Sequence, residues 1–282
     1  MPDDFIERIK ACNSLHTKEL KDLYWLISSK SLSEEFIPEL HFITFLKPSY
    51  FDIIKKQKSH PNILNHNKLR LGKYAEKLMA YHFKHFSEYQ LLFQNIQLID
   101  HKITKGEIDF ILKSNDNRYI HLEFAIKFYI SVKQNGKEII VGPNLKDWWH
   151  LKIRKLKEHQ TQLSTNFNHL LPNSIKNKHF EKKLLVQGTI FQYNKLHAIN
   201  WSISIKDLDS LDDFFSRFVI LRNRLDWIFP FDDRHSLITF EKLKSELSNF
   251  DGQAVMVVGF NQKKIPLSWG FIIQNISKIN SL

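Results

Sequence analysis

One cysteine, Cys12, is all that the 282 residues contain, so no disulfide, zinc-cysteine cluster or CxxC redox motif forms within the chain. A reducing, cytoplasmic setting is the expectation that follows. Glycine and proline number eight each, which excludes collagen-like and low-complexity linker sequence. No apolar run approaches the ~20 residues that span a bilayer, so no membrane partner is expected. The opening MPDDFIERIK is acidic and amphipathic, unlike a secretory signal. No internal repeat is visible, and HExxH, GxSxG, Walker A and GxGxxG motifs are all missing. A small-molecule cofactor is therefore not expected.

What is present is positive charge, and it is concentrated. Residues 1–66 hold nine Lys/Arg against nine Asp/Glu, residues 67–200 hold twenty-two against eleven, and residues 201–282 hold ten against ten. The whole excess of +11 thus lies in the middle segment. Compositional drift toward lysine would spread it along the chain, whereas a polyanion-binding surface concentrates it. Nucleic acid, DNA or RNA, is the expected partner; oligomeric state is left open.

Hydrophobic periodicity divides the chain into a helical N-terminal region (1–66), an α/β core (67–205) and an α+β C-terminal region (206–282). Helices are predicted near 3–12, 17–28 and 69–86, with shorter pieces cut by Pro38, Pro48 and Pro61. The period then changes to two, predicting strands over 91–99, 107–113 and 119–130. A long basic helix (145–164) and a strand (183–193) that pairs with 197–205 follow. The tail reads as helices over 210–228 and 239–249 with a final strand pair. The middle order α-β-β-β-α-β implies one sheet with helices on it.

The chemistry lies in the second and third strands. Glu107 and Asp109 share one face of the second; His121, Glu123, Ala125, Lys127 and Tyr129 share one face of the third. If Asn115-Asp116-Asn117 forms a three-residue loop, Asp109 stands directly opposite Glu123, with Cβ atoms ~5 Å apart. A two- or four-residue loop staggers the pair. Two opposed carboxylates repel unless a cation lies between them. A hard divalent ion, Mg2+ or Mn2+, suits oxygen ligands; Lys127 or Lys105 is the plainer way to neutralise them. His82, at the centre of its helix's apolar arc, reads as a core residue, and Cys12 as structural.

This ordered set, with Asp in GEIDFIL, Glu in HLEFAIKFY and Glu in the preceding LGKYAEKLMAYHF, resembles the PD-(D/E)XK nuclease superfamily. More narrowly, LRLGKYAEKL, LEFAIKFY and GPNLKDWWHLKIRKLKEHQTQLS resemble an uncharacterised bacterial family, domain of unknown function 1853. The resemblance implies a restriction-endonuclease-like mixed sheet flanked by helices. It implies that Asp109 and Glu123 are metal ligands and that Glu76 on the first helix supports the metal or its water. The plainer account of Glu76 is an ion pair with Lys73 or Lys77.

The superfamily's lysine, two residues past the acid, is replaced by Ala125. Lys127 lies on the same face ~6–7 Å farther along and is the displaced candidate, with Lys152 or Lys155 as alternatives. On the basic helix, Lys152, Lys155 and Lys157 form the candidate nucleic-acid surface. Gln160 and Gln162 resemble the glutamine that follows the motif strands in RecB-like members. The leading expectation is a Mg2+-dependent nuclease, a hydrolase of phosphodiester bonds. A catalytically degenerate nucleic-acid-binding protein and a protein-interaction scaffold are the alternatives.

Overall fold

The computed structural model describes residues 3–42, 69–274 and 276. The fold is α/β: a mixed nine-stranded sheet with helices flanking it. The chain clusters into two compact units, residues 16–126 with 151–188, and residues 1–15 with 127–150 and 189–282. The expected core segment 67–205 contributes to both, and the sequence breaks Pro48 and Pro61 lie outside the described residues.

The first of these units holds α2 (Lys18–Ser28), α3 (Leu32–Phe36) and α4 (Leu71–His85). It also holds β1 (Gln90–Asp100), β2 (Ile103–Lys113) and the first part of β3 (Tyr119–Gln134). Thr17 starts α2 by accepting the Leu20 amide proton. On α4, Tyr74, Ala75, Leu78, Met79, His82 and Phe83 are buried at helical spacing, which makes one apolar stripe. The Tyr74 hydroxyl donates to Asp22 Oδ2 at 2.7 Å and so ties α4 to α2.

The hairpin between β2 and β3 decides where the acids fall. The Ser114 amide donates to the Arg118 carbonyl at 3.0 Å, and Asn117 takes a left-handed φ of 65°. Asparagine tolerates that conformation, so the three-residue loop closes. The antiparallel register runs Lys113↔Tyr119, Leu112↔Ile120, Ile111↔His121 and Phe110↔Leu122. The ladder ends at Phe110↔Leu122, so Asp109 and Glu123 are the residues just beyond its last pair. The long basic element is shorter than expected. It forms α5 (Trp149–Glu158), a 3-10 turn over Gln160–Gln162 and α6 (Leu163–Asn166). His159, with φ −118° and ψ −60°, interrupts the helix.

The other unit holds α1 (Asp3–Asn13), the rest of β3, and β4 (Lys137–Val141) paired to it. Asn135 and Gly136, with φ of 50° and 76°, make the two-residue turn between β3 and β4. The strands β5 (Phe180–Tyr193), β6 (Asn200–Ser204), β7 (Arg217–Leu221), β8 (Ala254–Phe260) and β9 (Pro266–Ile273) complete the sheet. Here β5 pairs with β6 and β6 with β9 in parallel, while β9–β8 and β8–β7 are antiparallel. Helix α7 (Phe240–Leu247) packs Leu243 and Leu247 into a core of Trp201, Ile203, Phe215, Phe218, Val257 and Ile272.

The helix expected over 210–228 is corrected: a 3-10 stretch (Ile205–Leu211), β7 and a 3-10 turn (Arg224–Trp227) stand there. The run RFVIL is rich in β-branched and aromatic residues and gains a ladder against β8. Asn223 then starts the turn by accepting the Leu225 amide proton at 3.1 Å.

Candidate functional site

Strand β2 brings Glu107 and Asp109 beside Glu76, which α4 supplies. One carboxylate oxygen from each of the three lies within 4.8 Å of the others. The ammonium of Lys73, one helical turn before Glu76, donates to Glu76 at 2.7 Å and to Glu107 at 2.6 Å. The Lys73–Glu76 ion pair named as the plainer account of Glu76 is therefore present, and it extends to a third residue.

Asp109 Oδ2 accepts the backbone N–H of Phe124 at 2.9 Å, which anchors it to the strand carrying Glu123. Burial pushes the Asp109 carboxyl well above its ordinary range, and the Glu123 charge pushes it further; the Phe124 amide only partly offsets them. Glu123, 2% exposed, is raised by burial as well. The Asp109 amide and the Lys152 ammonium pull it back, while Glu76 and Glu107 add repulsion. Glu76 is also raised, by burial against the opposing pull of Lys73. Burial works against the charge on Lys73, but Glu107 and Glu76 outweigh it and hold the ammonium more firmly protonated than usual.

Glu76, Asp109 and Glu123 share one electrostatic environment: each feels the charge of at least one other carboxylate. Such a set is short of positive charge. Hard oxygen donors in this number match the ligand preference of Mg2+ or Mn2+, so the donor chemistry fits such an ion. The carboxylate oxygens that converge are those of Glu76, Glu107 and Asp109; Glu123 is not part of that close group among the described residues.

A buried chain backs Glu123. His121 Nε2 lies 2.8 Å from Glu123 Oε1, and His121 Nδ1 lies 2.8 Å from Ser164 Oγ on α6. His121 and Ser164 are fully buried. Burial, with the Lys182 charge adding to it, pushes the imidazole down to about 3.

The remaining candidates divide. Lys152 is half-buried and its charge reaches Glu123. Lys155 is exposed, and Lys157 is paired with Glu39 at 2.5 Å. Gln160 heads the 3-10 turn and is half-buried. The Gln162 amide is tied up by the Lys182 ammonium and the Lys157 carbonyl. Lys127 has its ammonium on Asp147 at 2.7 Å, within the unit of β4 rather than that of the acids. The Trp149 ring packs on Tyr129 at 5.2 Å, and Trp148 is half-buried. His82 and Cys12 are buried.

Sequence reading missed Glu107, Lys73, His121 and Ser164 as members of the site. Glu107 and His121 shared strand faces with the acids, which was signal enough. The contact from Ser164 spans 43 residues and carries no local signature.

Fold and site together define an α/β protein with a half-buried Asp109 and a buried Glu123 on adjacent strands, the latter backed by a histidine, with lysines nearby. The chain belongs to the family described as Domain of unknown function (DUF1853), whose model matches residues 21–265. Neither the curated proteins nor the solved structures include a match to it. Among the described residues no helix is long and apolar enough to cross a membrane.

Proposed function

We propose that this protein is a metal-dependent nuclease of PD-(D/E)XK type, hydrolysing phosphodiester bonds of DNA or RNA. The observation that carries the reading is the Asp109–Glu123 pair. Two carboxylates held on neighbouring strands, both raised by burial, are an unstable arrangement that a divalent cation relieves. The middle-segment charge supplies the attraction for a polyanion.

Asp109 and Glu123 would hold the ion; when bound, it would lower the pKa of a water and neutralise charge developing on the phosphate. Glu76 and Glu107, whose oxygens converge with that of Asp109, would orient what is held there. The position of the superfamily lysine is taken by Ala125. Lys152, whose charge acts on Glu123, and Lys73, whose charge acts on Asp109, are the cations able to stabilise an anionic transition state there. Lys127 keeps its place as a candidate only if its ammonium leaves Asp147.

A second reading, a degenerate nuclease fold that binds nucleic acid without cutting it, is favoured by Ala125 and by the Lys127–Asp147 pair. One assay separates the two. The purified chain is incubated with labelled DNA and RNA in Mg2+, Mn2+ or EDTA, and Asp109→Asn is run alongside. Metal-dependent cleavage that Asp109→Asn abolishes, with binding retained, is expected. Replacing the responsible lysine by Met should cost ~10²–10³-fold in rate with little change in binding. Comparing Lys152→Met, Lys73→Met and Lys127→Met assigns it. Binding without cleavage in either metal would establish the degenerate form.

A further inference from the structure

Why a fully buried histidine should face the acid of the site is the question that β3 raises. His121 has both ring nitrogens engaged at 2.8 Å, one by Glu123 and one by Ser164. Neither solvent nor chance explains this, because His121 and Ser164 are 0% exposed and Glu123 is 2% exposed. A polar chain in such a place is costly unless every member is satisfied.

The donors and acceptors fix its direction. A neutral imidazole has one N–H and one bare nitrogen. Once Glu123 is ionised, as it must be to hold a cation, it only accepts, so the proton facing it must be on Nε2. The bare Nδ1 then accepts, and the Ser164 hydroxyl donates to it. Ser164 thereby selects the tautomer that Glu123 needs, and the N–H of that tautomer holds Oε1 at one place.

We propose that His121 is a positioning residue for Glu123, with Ser164 setting its ring. This rests on the reading of Glu123 as a metal ligand. By holding Oε1, His121 removes the carboxylate's freedom to rotate and leaves a defined face toward Asp109. Hydrogen-bonded partners of this kind behind a ligand typically account for about 10–100-fold in metal affinity. Without the imidazole, Glu123 would lie in a dry site with that oxygen free to turn.

The test uses the full chain and two readouts. Mn2+ affinity is measured by the electron paramagnetic resonance of the free ion, for wild type, His121→Ala, His121→Gln and Ser164→Ala. The tautomer of His121 is read from ring 15N shifts in metal-free, histidine-labelled protein at about pH 9.5, above the raised titration range of Glu123, and is assigned by its loss in the His121 variants. Thermal unfolding shows that each variant folds.

The expected result is an Nε2–H tautomer in wild type and a loss of about 10–100-fold in Mn2+ affinity in His121→Ala. Partial rescue is expected in His121→Gln, whose amide restores a donor. Ser164→Ala, the milder change, should mix the tautomers and weaken Mn2+ binding less. Unchanged Mn2+ affinity in a folded His121→Ala overturns the proposal. Should that variant fail to fold, Ser164→Ala with unaltered tautomer and affinity overturns it. An Nδ1–H tautomer in wild type overturns it whatever the metal does. Wild type that binds no Mn2+ yet shows the Nε2–H tautomer defeats the metal reading alone and supports the hydrogen bond to Glu123.

Discussion

The two units of this chain fill their interiors differently. The unit built on β6–β9 centres on Trp201, Phe215, Phe218, Leu243, Val257 and Ile272, which contribute no charge. The unit built on β1, β2 and the start of β3 has apolar clusters of its own, such as Leu98, Ile108, Ile111 and Leu163. Yet it also buries Glu123, His121 and Ser164 and partly buries Asp109. Apolar burial contributes about 25 cal/mol per Å² and asks for nothing in return. A buried carboxylate costs free energy unless it is paired. Buried carboxylates occur elsewhere too, Asp22 beside Lys18 and Asp232 beside Arg234, but each of those has a cation on it. Glu123 is instead hydrogen-bonded by a histidine and repelled by neighbouring acids, and that contrast locates the chemistry.

The sharpest way to break the contrast is at its apolar end. Gly270 on β9 pairs with Trp201 on β6, and a Cβ added there would run into the Trp201 carbonyl oxygen and ring. Backbone cannot step aside as a side-chain tip can. Trp201→Ala should cost about 3–5 kcal/mol, and Gly270→Ala should lower the denaturant midpoint strongly as well. Neither should change the ratio of Mn2+ affinity to folded fraction. A variant that keeps its stability here would show that this interior is looser than its packing implies.

At the polar end the expected effect is smaller and depends on pH. Asp109 and Glu123 both have native pKa values raised, to about 8, from ordinary values of 3.8 and 4.5. The native state therefore binds protons more tightly than the unfolded one. The stability this pair contributes is full below about pH 4 and is lost as pH rises through about 8. In EDTA, the melting temperature of wild type minus that of Asp109→Asn should fall steadily from pH 5 to pH 9. Mg2+ at pH 8 should raise wild type and leave Asp109→Asn unmoved. A flat difference across that range would mean that the pair is already compensated, and Lys73 and Lys152 are the groups to compensate it.

How far the site was legible follows from the distance over which each contact acts. That Asp109 and Glu123 lie at the same end of the β2–β3 ladder could be read because strand alternation and a three-residue loop are local properties, and Asn117 supplies the left-handed turn that the loop needs. Glu107 was visible by the same alternation. The bridge from Lys73 to Glu107 was not, since it depends on how α4 approaches β2. Nor was the clasp of Lys127 by Asp147, 20 residues on, which redirects the site's candidate cation. Of the fold, β7 was lost because RFVIL lies in a stretch whose apolar spacing also suits a helix. The short β4 was lost although Asn135-Gly136 announces its turn.

The smallest expected effect tests whether burial of a polar group in the acidic unit always marks chemistry. His82 on α4 is 3% exposed, and its Nδ1 has no hydrogen-bond partner among the described residues. Burial alone pushes its pKa down to about 4 from 6.5. The native state here binds its proton more weakly than the unfolded state. Its contribution is complete above about pH 6.5 and declines as pH falls toward about 4. Replacement by Leu removes both the unpartnered nitrogen and the titration, with little change in volume. At pH 7, His82→Leu should shift unfolding free energy by no more than about 1 kcal/mol, toward stability. At pH 5 the gain should be larger, so urea midpoints at the two pH values should diverge from wild type in that order. Equal shifts at both would show that His82 is not the titrating group. A loss of 2 kcal/mol or more at pH 7, by about the measure of a buried hydrogen bond broken, would show that this histidine too is held for a purpose.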